Sequence, residues 1–537
     1  MNTQDPLPPA DAAPARASWI SPRHWRNRKV ELLGHTVNLA GIAIGAGWLV
    51  TLLLPHLKII SQPGPVEYNE PAIWNATYLL DHGRNPYTMK ELPGAAYCFG
   101  PLYNYVVIAF KPLFGTDYPA HRMVNLLFLA GSLFLLVRLM CRLGTGLGIA
   151  LLSAALYYWM CLGNIMITAR PDLMGLFLFL LGVFVPWERN YARWPSIFGL
   201  ACSVAAFQCK FYFAVGGCAT LLGVFLVRSK REGYWLALAY FIALGASFLG
   251  FWLAFPFYYI ETVVAQHNTA ALTFSDSVSA MHTRMFLGRS WPFLLLMAGG
   301  FAAWLWRWEK TGERVQTKAA GPAPDWTVGT REEALSLSFL ALLALVYFYM
   351  GRSAGAYFTY HLHLLFPPMF VLAALVLRRP WVRIGFGVLL SVFVFSWARI
   401  PSVPDASGPY RRLEQLIFNT HGEVLGLPCV TDIFERQSRR VLHDGNTMFL
   451  GSALADNRAT WDPLAAIIDR QFHETEAEVR SNVAARAYEV VLTEADRPMF
   501  CDEKLLRQNY DEIEQVDYYT YFGHSPVRIW KPKSRQG

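Results

Sequence analysis

Long apolar runs separated by short polar segments dominate the chain up to residue 398. Each run approaches the roughly 20 residues that an α-helix needs to cross the hydrocarbon of a bilayer. The pattern predicts about eleven spans, which lie near residues 32–56, 121–141, 146–163, 172–187, 194–209, 211–228, 234–257, 291–307, 334–350, 361–378 and 382–398. Small residues spaced as in GIAIG (Gly41 and Gly45) predict close helix–helix contact. The chain therefore reads as a polytopic α-helical membrane protein.

Two connecting segments are long, at about 58–120 and 258–290. The first contains EPAIWNATYLL, whose apolar positions have helical spacing. It also contains AYCFGPLYNYVVIAFKPLFG, which is apolar and aromatic but interrupted by Gly100-Pro101 and Pro112. Aromatic segments of this kind are typical of helices that lie at a membrane surface.

The pattern changes at about residue 399, where short β-like runs alternate with amphipathic segments. GPYRRLEQLIFNTH and PLAAIIDRQFHETEAEVRSNV predict helices, and PCVTD, YEVVLTE and PVRIWKP predict strands. Alternation of the two predicts a small α/β domain over 399–537. Residues 1–30 read as a disordered tail, which leaves 31–398 as the membrane domain.

Composition supports this division. The 537 residues are 54% hydrophobic and 16% charged, whereas soluble proteins carry about 25% charged residues. With the N-terminus inside, inner segments hold 20 Lys and Arg residues and outer segments before 399 hold 10. This bias predicts a cytoplasmic N-terminus, and an odd span count places the C-terminal domain outside.

The net charge of +8 is mostly this topology signal, because the stretch from Arg399 onward has 17 basic and 21 acidic residues. It does not indicate nucleic-acid binding. The eight cysteines form no CxxC or zinc pattern. Only Cys429 and Cys501 fall in the C-terminal domain, either as a disulfide or as two buried thiols.

Ionisable side chains at the predicted outer face are the strongest functional signal, since burying them near lipid is expensive. The set comes from separate loops and comprises Glu67, Glu70, Asp81, Arg170, Asp172, Lys210, His267, Arg289, Arg352, Tyr357, His361 and His363. Their gathering on one side predicts a site that faces outward.

Glu67 and Glu70 are three residues apart, which would place both on one face of a helix. Mutual repulsion would then raise the pKa of one carboxyl, as a general base requires. The alternative is a helix start, where acids are favourable and Pro71 suits the first turn.

Arg170 and Asp172 lie in TARPDLMG, where they form either a helix cap or part of a site. Lys210 lies between two apolar spans and must reach the surface, pair with an acid or bind an anion. His361 and His363 are two apart, which is a poor spacing for metal ligands on a helix. No metal site is predicted.

Three stretches together resemble the GT-C superfamily of polyprenyl-phosphate-sugar-dependent glycosyltransferases, which includes protein O-mannosyltransferases and aminoarabinose transferases. They are YNEPAIWNATYLLDHGRNPYT with FGPLYNYVVIAFKPLFG, ARPDLMGLFLFLLGV, and AGAYFTYHLHLLFPP. The resemblance implies that an acid of the first outer loop is the general base and that basic residues hold the lipid phosphate. Glu70 is then the leading base and Glu67 its neighbour. Many members have Asp-Glu where this chain has Asn69-Glu70, so the choice between Glu70 and Glu67 stays open.

The resemblance also implies Asp172 as the second acid and an inverting transfer from a polyprenyl-phosphate sugar to an acceptor hydroxyl on a glycan, lipid or protein. Candidates for the phosphate are Arg170, Lys210, Arg289 and Arg352. Tyr68, Trp74 and Tyr103 would stack on sugars or anchor the interface, and Tyr357 and His361 are further substrate-binding candidates. No cofactor is named, and a role for a divalent cation stays open.

The main alternative is a transporter or flippase of lipid-linked sugars. That class predicts inverted repeats and charges near the midplane of spans. The sequence shows no internal repeat, and its charges gather at span ends. A sensor or scaffold with an outer domain is a third class, and it would not need the Glu67–Glu70 pair.

Overall fold

The chain is described here from a computed structural model that covers residues 22–88, 97–163, 165–264, 331–350, 363–377, 380–397, 403, 405–442, 463–494, 502–520 and 523–534. Helices make up almost all of the described structure before residue 398, and strands occur only in the described part beyond it. A small strand-containing C-terminal domain is therefore present, and the domain bounds stay a prediction.

The first domain contains thirteen described helices. They are α1 (Pro22–Ile60), α2 (Glu70–Asp81), α3 (Leu102–Ala109), α4 (Lys111–Phe114), α5 (Tyr118–Arg142), α6 (Leu147–Leu162), α7 (Asp172–Glu188), α8 (Arg193–Phe207), α9 (Val215–Val227), α10 (Lys230–Ala254), α11 (Arg331–Met350), α12 (Phe366–Val376) and α13 (Pro380–Trp397). Single 3₁₀ or π turns cover Ile165–Ile167, Phe211–Ala214 and Ile260–Val264.

Each predicted span in the described residues coincides with one of these helices, while the span at 291–307 lies outside them. Three stretches are long and apolar enough to cross a bilayer, namely Glu31–Ile60, Tyr118–Arg142 and Lys230–Ala254. Leu147–Leu162, Phe211–Val227 and Val382–Val394 are shorter apolar helices. The apolar helices support a membrane protein, and the count of eleven spans stays a prediction.

The glycines of GIAIG lie where α1 packs against α6. A Cβ on Gly41 would stand 3.0 Å from the carbonyl carbon of Gly148, and one on Gly45 would stand 2.9 Å from the backbone of Leu151. Real Cβ atoms do not approach backbone this closely without displacing it. The predicted close helix–helix contact is therefore confirmed.

The C-terminal domain contains a four-stranded sheet in the order β1-β2-β4-β3. The strands are β1 (Glu423–Leu425), β2 (Tyr488–Glu494), β3 (Tyr510–Thr520) and β4 (Gly523–Pro532), and the helices are α14 (Ser407–Phe418), α15 (Thr431–Arg436), α16 (Pro463–Ala484) and α17 (Glu503–Asn509). β1 pairs with β2 in parallel, and the other pairs are antiparallel.

Alternate residues of β2 serve opposite faces of this sheet. Val490 and Leu492 join the core that includes α14, whereas Val491 packs with Trp530 and with Val479 of α16. Helices therefore cover both faces, as expected for the predicted α/β domain. The strands YEVVLTE and PVRIWKP are confirmed.

The strand prediction for PCVTD was wrong. Pro428–Val430 forms a 3₁₀ turn that leads directly into α15. Pro428 has its φ locked near the helical value, and Asp432 lies in the first turn of α15, where an acid is favourable. These local preferences outweigh the strand preference of the two β-branched residues, Val430 and Thr431.

The C-terminal domain lies at the same end of the helical domain as the loop that follows α1. The Lys58 ammonium donates to the Val403 carbonyl at 2.6 Å, and the Tyr518 hydroxyl donates to the Pro65 carbonyl at 2.6 Å. This domain and the Glu67–Glu70 segment are thus adjacent, as the shared side of the predicted topology requires.

Candidate active site

Prolines delimit the segment that carries Glu67 and Glu70. Pro63 and Pro65 follow the end of α1 and prevent helix from continuing, while Pro71 in the first turn of α2 favours a new helix start. We call residues 61–69 the acidic loop. Because α2 begins at Glu70, Glu67 lies in the loop. The expectation that the two carboxylates share one face of a helix was therefore wrong.

Glu70 is fully enclosed and fully bonded. Its Oε1 accepts from Arg122 Nε at 2.8 Å and from the Ala169 amide at 2.6 Å. Its Oε2 accepts from Arg122 Nη2 at 2.6 Å and from the Val66 amide at 2.6 Å. A carboxylate has about four acceptor positions, so Glu70 has no position left for a substrate proton.

Arg122, in the first turns of α5, completes this centre and is itself completely buried. Besides Glu70, its guanidinium donates to the carbonyls of Ile59 at 3.1 Å, Gln62 at 2.7 Å and Gly64 at 2.7 Å. All of its donor directions are therefore used. Arg122 ties the end of α1, the acidic loop and α2 to α5.

Sequence reasoning missed Arg122, because it counted the residue only as a charge of an outer loop. The available signal was an arginine four residues into an apolar helix, where a cation needs a partner. Asn125, one turn later, was also missed. Its side-chain amide donates to the carbonyls of Thr168 and Arg170, the latter at 2.8 Å, and so holds the segment before α7.

Glu67 has a different environment. Its Oε1 accepts from Arg170 Nη1 at 3.2 Å, and its Oε2 accepts from the Asn69 amide at 3.0 Å. Burial raises the pKa of Glu67 to about 7, with Arg170 opposing the shift and Glu70 adding to it. The predicted raised pKa therefore falls on Glu67, and desolvation contributes more than repulsion between the two acids.

Arg170, Asp172 and Lys210 form a continuous set of ion pairs beside Glu67, which we call the cation network. Arg170 Nε donates to Asp172 Oδ2 at 3.1 Å, and Lys210 Nζ donates to Asp172 Oδ1 at 2.7 Å. Asp172 is the first residue of α7, directly after the N-cap residue Pro171. Lys210 thus pairs with an acid, which was one of its three expected environments. The choice between a helix cap and a site role for Arg170 and Asp172 stays a prediction.

The ring of Phe99 lies against both cations of the network. Its centroid is 4.9 Å from Lys210 Nζ and 5.7 Å from the Arg170 guanidinium carbon, distances at which cation–π attraction operates. The next residue, Gly100, approaches the backbone of the Gln208 turn so closely that a Cβ would lie 2.0 Å from the Gln208 carbonyl oxygen.

This contact makes Gly100→Ala a sharp test of how the network is assembled. The added methyl group must push Phe99 and the turn before Lys210 apart, so we expect lower thermal stability and weaker binding of anionic lipid. Gly47→Ala is the matched control, since a Cβ there meets nothing within 4 Å. Equal thermal unfolding and lipid binding in the two variants would contradict the expectation.

Among the predicted sugar-stacking residues, only Tyr68 is exposed, with 41% of its residue surface accessible. Trp74 is buried and stacks on Tyr78 with centroids 5.2 Å apart. Tyr103 is buried and donates to the His121 carbonyl at 3.0 Å. The stacking interpretation of Trp74 and Tyr103 is therefore unsupported, because protein covers their rings.

Five residues of the predicted set lie outside the described residues, namely His267, Arg289, Arg352, Tyr357 and His361, as does Cys501. His363 is described, and its ring lies 3.7 Å from the thiol of Cys161. Within the described ranges, no group of three His, Cys, Asp or Glu side chains is arranged to hold a metal ion.

The site thus combines three acids and three cations with distinct tasks. Glu70 and Arg122 neutralise each other and hold the backbone of the acidic loop and of its neighbours through hydrogen bonds, which is a structural task. Glu67, with a pKa near neutrality, pairs with Arg170, which in turn shares the carboxylate of Asp172 with Lys210. Such an arrangement can accept a proton at Glu67 and stabilise negative charge at Arg170 and Lys210.

No family model matches the chain, and no curated protein matches it. Two crystal structures of ArnT from Cupriavidus metallidurans are similar to it over 83% of this chain and 81% of theirs. The apo structure has 12% identity and a TM-score of 0.46, and the structure bound to undecaprenyl phosphate has 14% identity and a TM-score of 0.39. Similarity this remote carries no conclusion about chemistry, which has to come from the site itself.

Proposed function

We propose that the protein is a membrane glycosyltransferase of the GT-C type. It would move a sugar from a polyprenyl-phosphate donor to an acceptor hydroxyl at the outer face of a bacterial inner membrane. The N-terminus would be cytoplasmic and the C-terminal domain extracytoplasmic. The acceptor class is a glycan, a lipid or a protein that presents a hydroxyl group.

One observation carries this proposal: a buried carboxyl group with a pKa near 7, Glu67, adjoins a network of two cations at the end of apolar helices. A general base works best when its pKa is close to the operating pH. A leaving phosphate needs fixed positive charge in a site with little water. Both requirements meet at Glu67 and Arg170, which are in direct contact.

In this mechanism Glu67 removes the proton from the acceptor hydroxyl, and the oxygen attacks the anomeric carbon from the side opposite the phosphate. The bond between that carbon and the phosphate oxygen breaks, so the configuration inverts. Polyprenyl phosphate leaves with the bonding electrons, and Arg170 and Lys210 stabilise its charge. Glu67 ends protonated and returns its proton to water.

The choice of Glu67 over Glu70 follows from bonding. Glu70 would have to give up one of four N–H donors before it could accept a proton, and its Arg122 partner would then be left without its counter-charge. Among the described residues, Glu67 has one charged partner, Arg170. Asp172 orients Arg170 and Lys210, and Tyr68 is the remaining stacking candidate for the sugar.

The test is transfer by the purified full chain in vesicles that contain a polyprenyl-phosphate sugar and a panel of hydroxyl acceptors. Release of free polyprenyl phosphate together with a new glycoside is the expected result, detected by mass spectrometry. Movement of the intact donor between leaflets without cleavage would instead support the transporter or flippase. If the chain shows neither transfer nor movement of the donor with any acceptor of the panel, the sensor or scaffold class is the remaining interpretation.

The proposal also predicts how the reaction depends on pH. A raised pKa means that the Glu67 carboxyl is protonated, and therefore inactive as a base, below about pH 7. We expect kcat/KM, which reports groups of the free enzyme, to rise with pH through this value and then level off. Initial rates at low donor concentration on either side of pH 7 will show this. A kcat/KM that is flat across this interval would contradict Glu67 as the base.

A further inference from the structure

One side of the acidic loop contacts the C-terminal domain. The Gln62 side-chain oxygen accepts from the Ala406 amide and from the Ser407 hydroxyl, each at 3.0 Å. The carbonyl of Pro65 accepts from the Tyr518 hydroxyl of β3 at 2.6 Å. Both contacts join segments more than 340 residues apart, so only the folded C-terminal domain can supply them.

Gly64 adds a steric contact between these two hydrogen bonds. Its Cα packs on the ring of Tyr410 so tightly that a Cβ would lie 2.2 Å from Tyr410 Cδ2. Tyr410 is itself held in place, since its hydroxyl donates to Asp432 and accepts from Arg436 Nη2 at 2.9 Å. The surface against which the loop lies is therefore rigid.

The opposite face of the loop holds the Glu70–Arg122 pair. The carbonyls of Gln62 and Gly64 accept from Arg122 at 2.7 Å each, and the Val66 amide donates to Glu70 at 2.6 Å. Gln62 and Gly64 thus contact both the C-terminal domain and Arg122. Of the two residues that follow, Pro65 contacts the C-terminal domain and Val66 contacts the ion pair. Glu67 is the next residue along the chain.

We propose that the C-terminal domain positions the catalytic acid, with Tyr518 as the positioning residue. The hydrogen bond to the Pro65 carbonyl sets the course of the acidic loop and so keeps the Glu67 carboxylate on Arg170. Tyr518 reaches neither substrate nor reacting atoms in this scheme. The structural part stands on the contacts alone, whereas the effect on turnover rests on the proposed function.

Tyr518→Phe tests this directly, because it keeps the ring and removes the hydroxyl. We expect faster amide hydrogen exchange in residues 61–70, a fall in kcat of about 10- to 100-fold and little change in KM, since a small displacement of a reacting group has effects of this size. We also expect the pH profile of kcat to shift, because the contact between Glu67 and Arg170 loosens.

Tyr510→Phe is the matched control. Tyr510 is also a buried tyrosine of β3, and its hydroxyl donates to a backbone carbonyl, that of Tyr488 at 3.2 Å, away from the acidic loop. We expect this variant to keep wild-type exchange in residues 61–70 and a wild-type pH profile. Thermal unfolding of both variants shows whether they fold.

If Tyr518→Phe does not fold, Gln62→Met is the second variant. It removes the hydrogen bonds from Ala406 and Ser407 to the acidic loop, and its hydrogen exchange, kcat and pH profile are interpreted in the same way. Hydrogen exchange in residues 61–70 that is equal in Tyr518→Phe and Tyr510→Phe overturns the positioning role, whatever the activity. Faster exchange without any transfer by the wild-type chain supports the structural role and counts against the proposed function instead. Faster exchange with an unchanged kcat and pH profile overturns the link to Glu67.

Discussion

Replacing Glu67 with glutamine is expected to lower transfer by about 10²- to 10⁴-fold, the usual contribution of a general base. Glutamine has nearly the shape of glutamate, and its one side-chain oxygen can still accept from Arg170, which then leaves the side-chain NH2 group on the side of the Asn69 amide. It cannot take up a proton from the acceptor. The loss should therefore appear in kcat at every pH, with thermal unfolding close to that of the wild type.

Glu188→Gln is the matched control for this substitution. Glu188 ends α7, whose first residue is Asp172 at the other end, and its carboxylate also pairs with arginines, Arg138 and Arg142. We expect Glu188→Gln to retain transfer, since the substitution lies at the end of α7 that is remote from Asp172 and Glu67. Wild-type turnover by Glu67→Gln would exclude this residue as the base. If Glu70→Gln were then folded and inactive, the base would be Glu70.

Replacing Arg122 with methionine is expected to have the largest effect on stability. The substitution leaves the Glu70 carboxylate completely buried without its counter-charge and removes the donor to three backbone carbonyls. Breaking a buried ion pair from one side costs about 3–5 kcal/mol. Thermal or denaturant unfolding of the purified chain should show a loss of this size, and transfer should fall with the folded fraction.

The double variant Arg122→Met, Glu70→Leu distinguishes a charge effect from a packing effect. Removing both partners also removes the unpaired charge, so we expect it to recover part of the stability lost by Arg122→Met. Arg138→Met is the control, because Arg138 pairs with Glu188 where it is partly exposed, and such pairs contribute about 0–1 kcal/mol. Equal losses from Arg122→Met and Arg138→Met would contradict the assigned role of Arg122.

The structure clarifies why the two conspicuous glutamates have different tasks. Sequence spacing treated Glu67 and Glu70 as equivalent members of one pair, and the family resemblance favoured Glu70. The distinction arises from partners at positions 122, 169 and 170, far along the chain. Nothing within the segment VEYNEP indicates which of the two carboxylates has all of its acceptor positions filled by those partners.

The aromatic residues illustrate the same limit. Tyr68, Trp74 and Tyr103 are all large amphipathic side chains at the predicted interface, and sequence alone does not separate a sugar-stacking ring from a packed one. Burial decides it: Tyr68 is exposed, whereas Trp74 and Tyr103 lie in the core. Which neighbours cover a ring depends on how α2, α3 and α5 pack.

The sequence by itself determined the apolar helices, the change to an α/β domain near residue 399, and the set of acids and cations among which the site was found. These features depend on hydrophobic periodicity and on the cost of burying charge, and both can be recognised within a short window of sequence. The tertiary structure alone decided which charge meets which. Arg122 joins Glu70 across 52 positions, and Tyr518 reaches Pro65 across 453. Ion pairing and hydrogen bonding act over a few ångströms in space, and distance along the chain does not constrain them.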